Sequence, residues 1–282
     1  MIKNYKSIMT GGLALLAMIT GCNKEEETLI LEGKTDEEKQ EIAVQFATEQ
    51  YEMYDGFSSG MAYADAGMES AEGGRLSEEC YTLTYTASET DLEYLIDFGD
   101  RCETPEGQIL AGAIEVNIGF GVTEETIFLT TVYEFLDYEV DGHVFNGKII
   151  MDGMALSFEE EPVQDPTITL SMVDGKHTYP DGTYFLLNRE WTLTPDAQNA
   201  GITLVTGQSS GKTRIGLNFS ATIDEALELN EACQLDGTPV AGLWSASVSE
   251  LGDISIDYGS GECDDIITMT YNGTSYTIDV NE

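Results

Sequence analysis

Hydrophobic and polar residues alternate in short runs over most of the chain from residue 80 to the end. The runs are rich in β-branched and aromatic residues, and this composition with a period of two is typical of β-strands. The predicted strands are residues 82–86, 94–98, 113–120, 126–135, 148–151, 167–173, 201–205, 215–223, 253–258, 266–271 and 275–280. No segment of helical period separates consecutive strands, so parallel crossovers are not expected. We therefore predict a mainly β fold of antiparallel sheets, arranged as a sandwich or as one extended, duplicated sheet.

Seven Asp-Gly or Asn-Gly pairs lie among these runs. Such pairs adopt positive φ at low cost and favour tight hairpin turns. They are Asp141-Gly142, Asn146-Gly147, Asp152-Gly153, Asp174-Gly175, Asp181-Gly182, Asp236-Gly237 and Asn272-Gly273. The pattern predicts a turn at each of them.

One segment of helical period, from Thr35 to Tyr54, precedes the strands. Thr35 and Glu38 have the spacing of a capping box, which begins a helix. Apolar residues then recur near the helical period, at Ile42, Phe46 and Met53. We predict an amphipathic helix that ends at Asp55-Gly56, and a Gly-, Ala- and Ser-rich loop with some irregular helix over residues 56–78.

The first residues of the chain have the three parts of a secretory signal peptide. Lys3 and Lys6 precede a mainly apolar stretch of twelve residues, Ile8 to Ile19, which is too short for a membrane-spanning helix. The following Ile19-Thr20-Gly21-Cys22 resembles a bacterial lipobox, which implies cleavage after residue 21 and lipidation of Cys22. The alternative is an ordinary cleaved signal with a chance cysteine. Several acyl chains on Cys22 would anchor the mature protein to a membrane.

The net charge of -40, from 12 basic and 52 acidic residues, narrows the classes of partner. It argues against nucleic acid, because a polyanion would be repelled, and against anionic lipid headgroups. Removal of residues 1–21 takes away two lysines and makes the charge more negative still. The 14 Tyr, 10 Phe and 2 Trp residues nevertheless supply enough apolar surface for a packed core, so the chain is not predicted to be disordered.

Two segments of the β region repeat one another, Cys80 to Cys102 and Cys233 to Cys263. Each begins and ends with a cysteine and contains a strand that ends in Ile-Asp-aromatic-Gly. The aspartates, Asp97 and Asp257, are expected to cap backbone amides at a turn. The repeat indicates two related halves within residues 80–282.

This pattern resembles a family of β-rich Bacteroidota lipoproteins to which no reaction is assigned. The shared features include the Asp-Phe/Tyr-Gly…Cys elements, a Tyr-Pro-Asp-Gly-Thr turn from Tyr179 to Thr183, Trp191 beyond it, and a terminal segment from Cys263 to Tyr276. The resemblance covers about residues 80–282 and implies a lipid-anchored envelope protein. The sequence Lys24-Glu25-Glu26-Glu27 behind the anchor resembles the surface-export signal of such lipoproteins, so the protein is expected at the outer membrane, on the cell surface or facing the periplasm.

Four cysteines remain once Cys22 is assigned to the lipid, an even number that suits an oxidising compartment. Four cysteines allow three pairings. The repeat selects local disulfides, Cys80 with Cys102 and Cys233 with Cys263. The spacings and the two histidines do not resemble a zinc site.

Residues for catalysis are few. Ser209 is the centre of a Gly-x-Ser-x-Gly pattern, but a nucleophile elbow needs a helix after it and a strand is predicted there. We predict a turn at Ser209, and exposed turn positions for the two histidines, His143 and His177. No catalytic residue, cofactor or metal ligand is therefore predicted.

Two other features leave alternatives open. Trp191 and Trp244 are candidates for stacking on sugar rings, although packing in the core is the default for a β protein. Four acidic residues lie around Cys263: Asp257, Glu262, Asp264 and Asp265. Weak Ca²⁺ binding there competes with the simpler interpretation of a solvated acidic turn.

The sequence therefore predicts a signal peptide over residues 1–21, a tether over 22–35, a helix and loop over 36–79 and a β-rich domain over 80–282. The expected function is that of a non-enzymatic envelope component that binds a ligand, a glycan or an envelope partner, or that serves a structural role. The alternative is a hydrolase that acts on polysaccharide or ester, with Ser209 or a carboxylate pair that cannot be picked out among the 52 acidic residues.

Overall fold

The computed structural model describes residues 30–70, 80–105, 107–122, 126–157, 167–233, 239–264 and 266–279. Within these residues the chain forms one helix followed by one antiparallel sheet of thirteen strands, in which each strand pairs with its neighbours in sequence. The elements are α1 (Asp36–Ser70), β1 (Thr82–Ala87), β2 (Asp91–Glu103), β3 (Ile109–Val122), β4 (Thr126–Val140), β5 (His143–Ser157), β6 (Ile168–Thr178), β7 (Tyr184–Pro195), β8 (Ile202–Lys212), β9 (Asn218–Asn230), β10 (Ala241–Val248), β11 (Gly252–Ser260), β12 (Ile266–Tyr271) and β13 (Thr274–Asp279). The predictions of a mainly β fold and of antiparallel pairing are confirmed. A sandwich is not confirmed, because the described strands belong to a single sheet.

Each predicted strand corresponds to a strand of the structure, but β7 and β10 were not predicted. The middle of β7 is polar, with Asn188, Arg189 and Glu190 in succession, and β10 consists largely of Ala, Gly and Ser. Both compositions have low strand propensity. Pairing with strands on both sides forms these two strands in spite of their composition.

Three of the seven predicted turns are wrong. Asn146-Gly147 and Asp152-Gly153 lie inside β5, and Asp174-Gly175 lies inside β6. The strand register shifts at each of these pairs. Residues with positive φ, Gly147, Gly153 and Asp174, therefore lie in β-bulges within long strands and not in turns. Asn188 of β7 accepts a hydrogen bond from the backbone N–H of Asp174 at 2.8 Å, which satisfies an amide of the bulge. The pairs at 141–142, 181–182 and 272–273 do form turns between strands, and the pair at 236–237 lies outside the described residues.

Helix α1 begins as the capping box predicts. Glu38 accepts a hydrogen bond from the backbone N–H of Thr35 at 2.7 Å, and Thr35 Oγ1 accepts one from the N–H of Glu38 at 3.2 Å. The predicted end at Asp55-Gly56 is wrong, because α1 continues to Ser70. Tertiary packing outweighs the low helix propensity of glycine in this half of α1.

The glycines of α1 let the helix approach the sheet closely. A Cβ atom at Gly56 would overlap the ring of Phe145, and one at Gly60 would lie 2.5 Å from Cε1 of Phe135. Eight of the buried positions of α1 recur at intervals of three and four residues: Ala43, Phe46, Gln50, Met53, Phe57, Gly60, Ala64 and Gly67. At Gly56 and Gly60 the absence of a side chain leaves room for the rings of Phe145 and Phe135.

The axis of α1 crosses the strands. Near its beginning, Phe46 packs against Phe219 of β9 and Trp244 of β10, with ring centroids 4.9 and 6.0 Å away. Further along, Phe57 packs edge-on against Phe135 of β4 at 4.6 Å. Close to its end, Gly67 faces Ile96 of β2. One face of α1 and the inner face of the sheet thus form a continuous core.

Two disulfides join Cys80 to Cys102 and Cys233 to Cys263, as predicted. The matching aspartates also behave alike. Asp97 accepts a hydrogen bond from the N–H of Gly99 at 2.8 Å, and Asp257 accepts one from the N–H of Gly259 at 2.9 Å. These aspartates cap bulges near the ends of β2 and β11 rather than turns between strands. A duplication of the two halves stays a prediction.

The close approach of α1 to the sheet predicts opposite effects for two glycine substitutions. Ala instead of Gly in a helix interior favours the helix by about 1 kcal/mol, whereas overpacking a core costs about 1–3 kcal/mol. Gly56→Ala should lower the free energy of unfolding by up to about 2 kcal/mol in denaturant titrations, because the new Cβ meets Phe145 and the overpacking outweighs the gain in helix propensity. Gly67→Ala is the matched control: its Cβ would lie 3.3 Å from Ile96, so stability should change little or rise. Equal stabilisation by both substitutions would contradict this packing.

Candidate functional site

A cavity of about 220 Å³ lies between α1 and the strands from β7 to β13. All seven of these strands contribute lining residues, so this end of the sheet curls around the helix. The helix contributes residues of its first half, among them Ala47, Gln50 and Tyr54. Thr48, which is exposed, also lines the cavity and shows that it reaches solvent beside α1.

The walls of the cavity are mainly aromatic and aliphatic. Trp191 and Trp244, the two tryptophans of the chain, both line it. Tyr54 of α1 lies against Trp191, with 6.4 Å between ring centroids. The strands supply these side chains by alternation: Arg189 and Trp191 point inward from β7, and exposed Glu190 between them points outward.

Arg189 is the one basic side chain in the described lining, and it is buried, with 7% of its surface exposed. Its guanidinium carbon lies 4.0 Å from the centre of the Trp191 ring, a cation–π contact. Among the described residues, no carboxylate forms an ion pair with Arg189, and its Nε atom has no hydrogen-bond partner. Burial lowers the pKa of Arg189 to about 10, so the guanidinium still carries its charge at neutral pH.

Two further buried polar side chains near Arg189 lack partners in the described part of the protein. The amide oxygen and nitrogen of Gln50 make no hydrogen bond, and neither does Ser209 Oγ. Gln50 lines the same cavity. Ser209 is the residue of β8 directly opposite Arg189 in the antiparallel register. An unsatisfied buried polar group costs about 1–3 kcal/mol, so Arg189 and Gln50, which both line the cavity, indicate a site for a polar partner there.

Two tyrosines complete the surroundings of the guanidinium. Burial raises the pKa of Tyr258 to about 12, while the charge of Arg189 acts in the opposite direction. Burial likewise raises the pKa of Tyr54, again against Arg189. Both hydroxyl groups therefore stay protonated at neutral pH and are able to donate hydrogen bonds.

The prediction of a turn at Ser209 is wrong, because the whole Gly-x-Ser-x-Gly pattern lies inside β8. Ser209 is buried, and no base within the described chain contacts its hydroxyl. A nucleophile elbow needs a serine exposed on a strand-to-helix turn. The geometry around Ser209 does not meet that requirement.

The prediction of exposed turn histidines is also wrong. His177 lies in β6 with 1% of its surface exposed, and His143 begins β5 and is half-buried. His143 Nδ1 and His177 Nε2 are 2.8 Å apart, so one of them donates a hydrogen bond to the other. His177 also stacks on Phe145, with ring centroids 4.4 Å apart. Burial, aided by the neighbouring His143 and Arg214, lowers the pKa of His177 to about 4.

A polar clamp of Glu49, Glu52, Tyr179 and Arg214 fastens α1 to two turns of the sheet. The hydroxyl of Tyr179 donates a hydrogen bond to Glu52 at 2.8 Å. The guanidinium of Arg214 lies over the Tyr179 ring, 3.7 Å from its centre, and 4.0 Å from Glu49. Burial raises the pKa of Glu49 to about 7 despite Arg214 and a hydrogen bond from Gln45. Tyr179 belongs to the Tyr-Pro-Asp-Gly-Thr motif, so this motif helps to hold the helix.

The acidic residues around Cys263 form local turn contacts. Asp257 caps Gly259, and Asp264 Oδ1 accepts a weak hydrogen bond of 3.4 Å from the N–H of Ile266. Asp265 lies outside the described residues. Across the part of the chain that the structure describes, no group of three or more His, Cys, Asp or Glu residues has the arrangement of a metal site.

The predicted membrane anchor is not among the residues that the structure describes. Cys22, the signal peptide and most of the tether precede residue 30 and lie outside the described residues. Over the described ranges, no helix is both long enough and apolar enough to cross a membrane.

Comparison with protein-family models, with curated proteins and with solved structures finds no match. The chemistry of the cavity is therefore the guide to function. Of its lining residues, Trp191 and Trp244 were candidates from the sequence, whereas Arg189 and Gln50 were not. The sequence did contain a signal that Arg189 faces the core. Side chains alternate between the two sides of a strand, so Arg189 lies on the same side of β7 as the apolar Leu187 and Trp191.

The buried Glu49 and His177 predict opposite dependences of stability on pH. The pKa of Glu49 is raised from 4.5 to about 7, so its contribution is present below pH 4.5 and is lost as pH rises to 7. The pKa of His177 is lowered from 6.5 to about 4, so its contribution is present above pH 6.5 and is lost as pH falls to 4. The two slopes oppose each other between about pH 4.5 and 6.5.

Variants of each group should separate the two slopes in denaturant titrations across this range. Relative to the wild type, Glu49→Gln should gain stability as pH rises from 4.5 to 7, because the loss due to Glu49 has been removed. His177→Phe keeps a ring against Phe145 and, relative to the wild type, should lose stability as pH rises from 4 to 6.5. Difference curves without these opposite slopes would show that neither group titrates as its burial implies.

Proposed function

We propose that this protein is a lipid-anchored envelope protein that binds a small molecule in the cavity between α1 and β7–β13, without catalysing a reaction. The observation that carries the proposal is the cavity itself, in which aromatic walls surround buried polar groups that lack partners. Ligand sites have this composition, with a mainly apolar lining and a few convergent polar groups. A core that evolved for packing alone would instead bury hydrogen-bonded or apolar residues.

The size of the cavity suits a small ligand. An engineered protein cavity of about 150 Å³ is known to bind benzene, and the cavity here measures about 220 Å³. A molecule with one ring, or with two fused rings, matches this volume. Such a ligand would contact Trp191 and Trp244 directly.

The surroundings of Ser209 and of the histidines support a binding role over hydrolysis. A hydrolase of the serine type needs a nucleophile, a base and an orienting group in contact. The hydroxyl of Ser209 has no partner in the described chain, and His143 and His177 contact each other. No observation on the described residues favours the alternative of a polysaccharide or ester hydrolase.

The envelope location rests on the lipobox and the disulfides. Local disulfides such as Cys80–Cys102 belong to proteins of oxidising compartments. The resemblance to Bacteroidota lipoproteins and the lysine-acidic run after Cys22 favour the outer membrane, with the domain on the cell surface or facing the periplasm. The partner membrane would be engaged through the lipid on Cys22 alone, since the charge of -40 disfavours anionic headgroups.

The lipid anchor is tested with a Cys22→Ala variant expressed in cells that are fed an alkyne fatty acid. The wild-type protein should carry the label and sediment with membranes, because a thiol at residue 22 is the site of acylation. The variant should carry no label. A labelled, membrane-bound variant would show that Cys22 is not the anchor.

Binding of a ligand in the cavity is tested with a larger side chain that fills part of the cavity. Ala47 is buried in the cavity wall, and Met is a good helix former of larger volume. Ala47→Met should weaken binding of small aromatic ligands about tenfold or more, corresponding to about 1.4 kcal/mol. Binding is measured by calorimetry and by the emission of the two tryptophans, which both report on the cavity.

Glu41→Met is the matched control, because Glu41 is an exposed position of the same helix. This variant should bind as the wild type does. Equal affinity in both variants, or no binding of any aromatic probe to the wild type, would overturn the proposed binding function.

A further inference from the structure

We propose that the ligand of this cavity carries a single carboxylate, which pairs with Arg189, on a compact apolar body. This inference rests on the proposed binding function and adds the chemical class of the ligand. The unpartnered groups, the shape of the guanidinium, the single positive charge of the described lining and the aromatic walls each support it.

The charge of Arg189 is the first argument. A buried charge without a partner is costly, and natural proteins pair such groups or expose them. Arg189 is buried and has no carboxylate partner among the described residues. The cation–π contact with Trp191 offsets part of the cost. An anionic ligand would supply the missing partner.

The donors around Arg189 suit a carboxylate. A guanidinium presents parallel N–H groups that match the two oxygens of a carboxylate, and Nε of Arg189 is unpaired. The amide of Gln50 lines the same cavity, has a hydrogen to donate and has no partner within the described chain. It would satisfy a remaining lone pair of the carboxylate.

The positive charge of the lining limits the ligand to one negative charge. Arg189 is the single basic residue of the described lining, so it balances one negative charge on the ligand. A phosphate monoester carries nearly two charges at neutral pH, so a carboxylate fits better.

The walls define the rest of the ligand. Trp191, Trp244, Tyr54 and Tyr258 offer flat faces, and aliphatic residues such as Leu229 and Ile256 fill the space between them. Flat rings pack on aromatic faces with offset or edge-on geometry. The body is therefore a ring system, or an aliphatic chain of similar volume.

The experiment compares acids with their neutral amides. Phenylacetate, 1-naphthoate and hexanoate, and the amide of each, are titrated into the folded protein by calorimetry. At least one acid should bind about tenfold more tightly than its amide, a difference of about 1.4 kcal/mol. Arg189→Gln should abolish this preference, and Arg189→Lys, which keeps the charge but loses the paired N–H groups, should retain part of it.

Arg101→Gln is the control, because Arg101 is an exposed arginine of β2 far from the cavity lining. It should leave the preference for the acid unchanged. Equal affinity for acids and amides would overturn the inference while leaving the binding function intact. Absence of binding by all six probes would overturn the binding function as well. If Arg189→Gln does not fold, the difference in affinity between each acid and its amide in the wild-type protein still tests the inference.

Salt supplies a second test of the same pairing. A buried ion pair is screened little, whereas the repulsion between an anion and a protein of charge -40 is screened strongly. Affinity for the acid should therefore stay constant or rise as NaCl increases from low to physiological concentration. A steep fall in affinity over this range would place the anion on an exposed cation and overturn the assignment to Arg189.

Discussion

The contact between one face of α1 and the inner face of the sheet is the constraint on which the rest of the structure depends. A single sheet of thirteen strands cannot bury its own apolar face. Here a helix of 35 residues, about 52 Å long at 1.5 Å per residue, covers it. The helix and the sheet fit closely. Phe46 and Phe57 of α1 pack against aromatic rings of the sheet, and the glycines at 56 and 60 leave room for other large rings of the sheet. The bulges within β5 and β6 adjust the register of strands that are long for a sheet of this kind.

The cavity arises where this fit is incomplete. At Ala47 and Gln50 the helix presents a small and a polar side chain to strands that curl around it, and the aromatic residues of β7, β10 and β11 do not fill the remaining space. The polar clamp at Glu49, Glu52, Tyr179 and Arg214 holds the helix against the sheet. A helix fastened over a partly empty, aromatic space is a physical basis for ligand binding without large rearrangement.

The protein as a whole is strongly acidic, whereas the described lining of the cavity contains a buried positive charge. The chain carries 52 acidic residues against 12 basic ones, so an anion approaching it meets repulsion. Inside the cavity, however, the single buried guanidinium of Arg189 has no partner in the described chain. Selection of one carboxylate by a strongly acidic protein is then a matter of short-range pairing in a poorly solvated site, where electrostatic interactions are strongest.

The sequence by itself determined the β content, the antiparallel pairing, the beginning of α1 and both disulfides, because these follow from residue period, local capping and the resemblance between the two cysteine-bounded segments. It also indicated a signal peptide and a lipid-bearing Cys22, features read from contiguous residues. The length of α1, the burial of His177 and the position of Ser209 inside β8 were decided by tertiary structure. Local propensity assigns glycine to turns and histidine to exposed loops, whereas packing against Phe145 and pairing across the sheet reverse both assignments. The candidate site depends on tertiary structure in the same way, since Arg189, Gln50 and Trp244 are distant in sequence and meet only because the sheet curls around the helix.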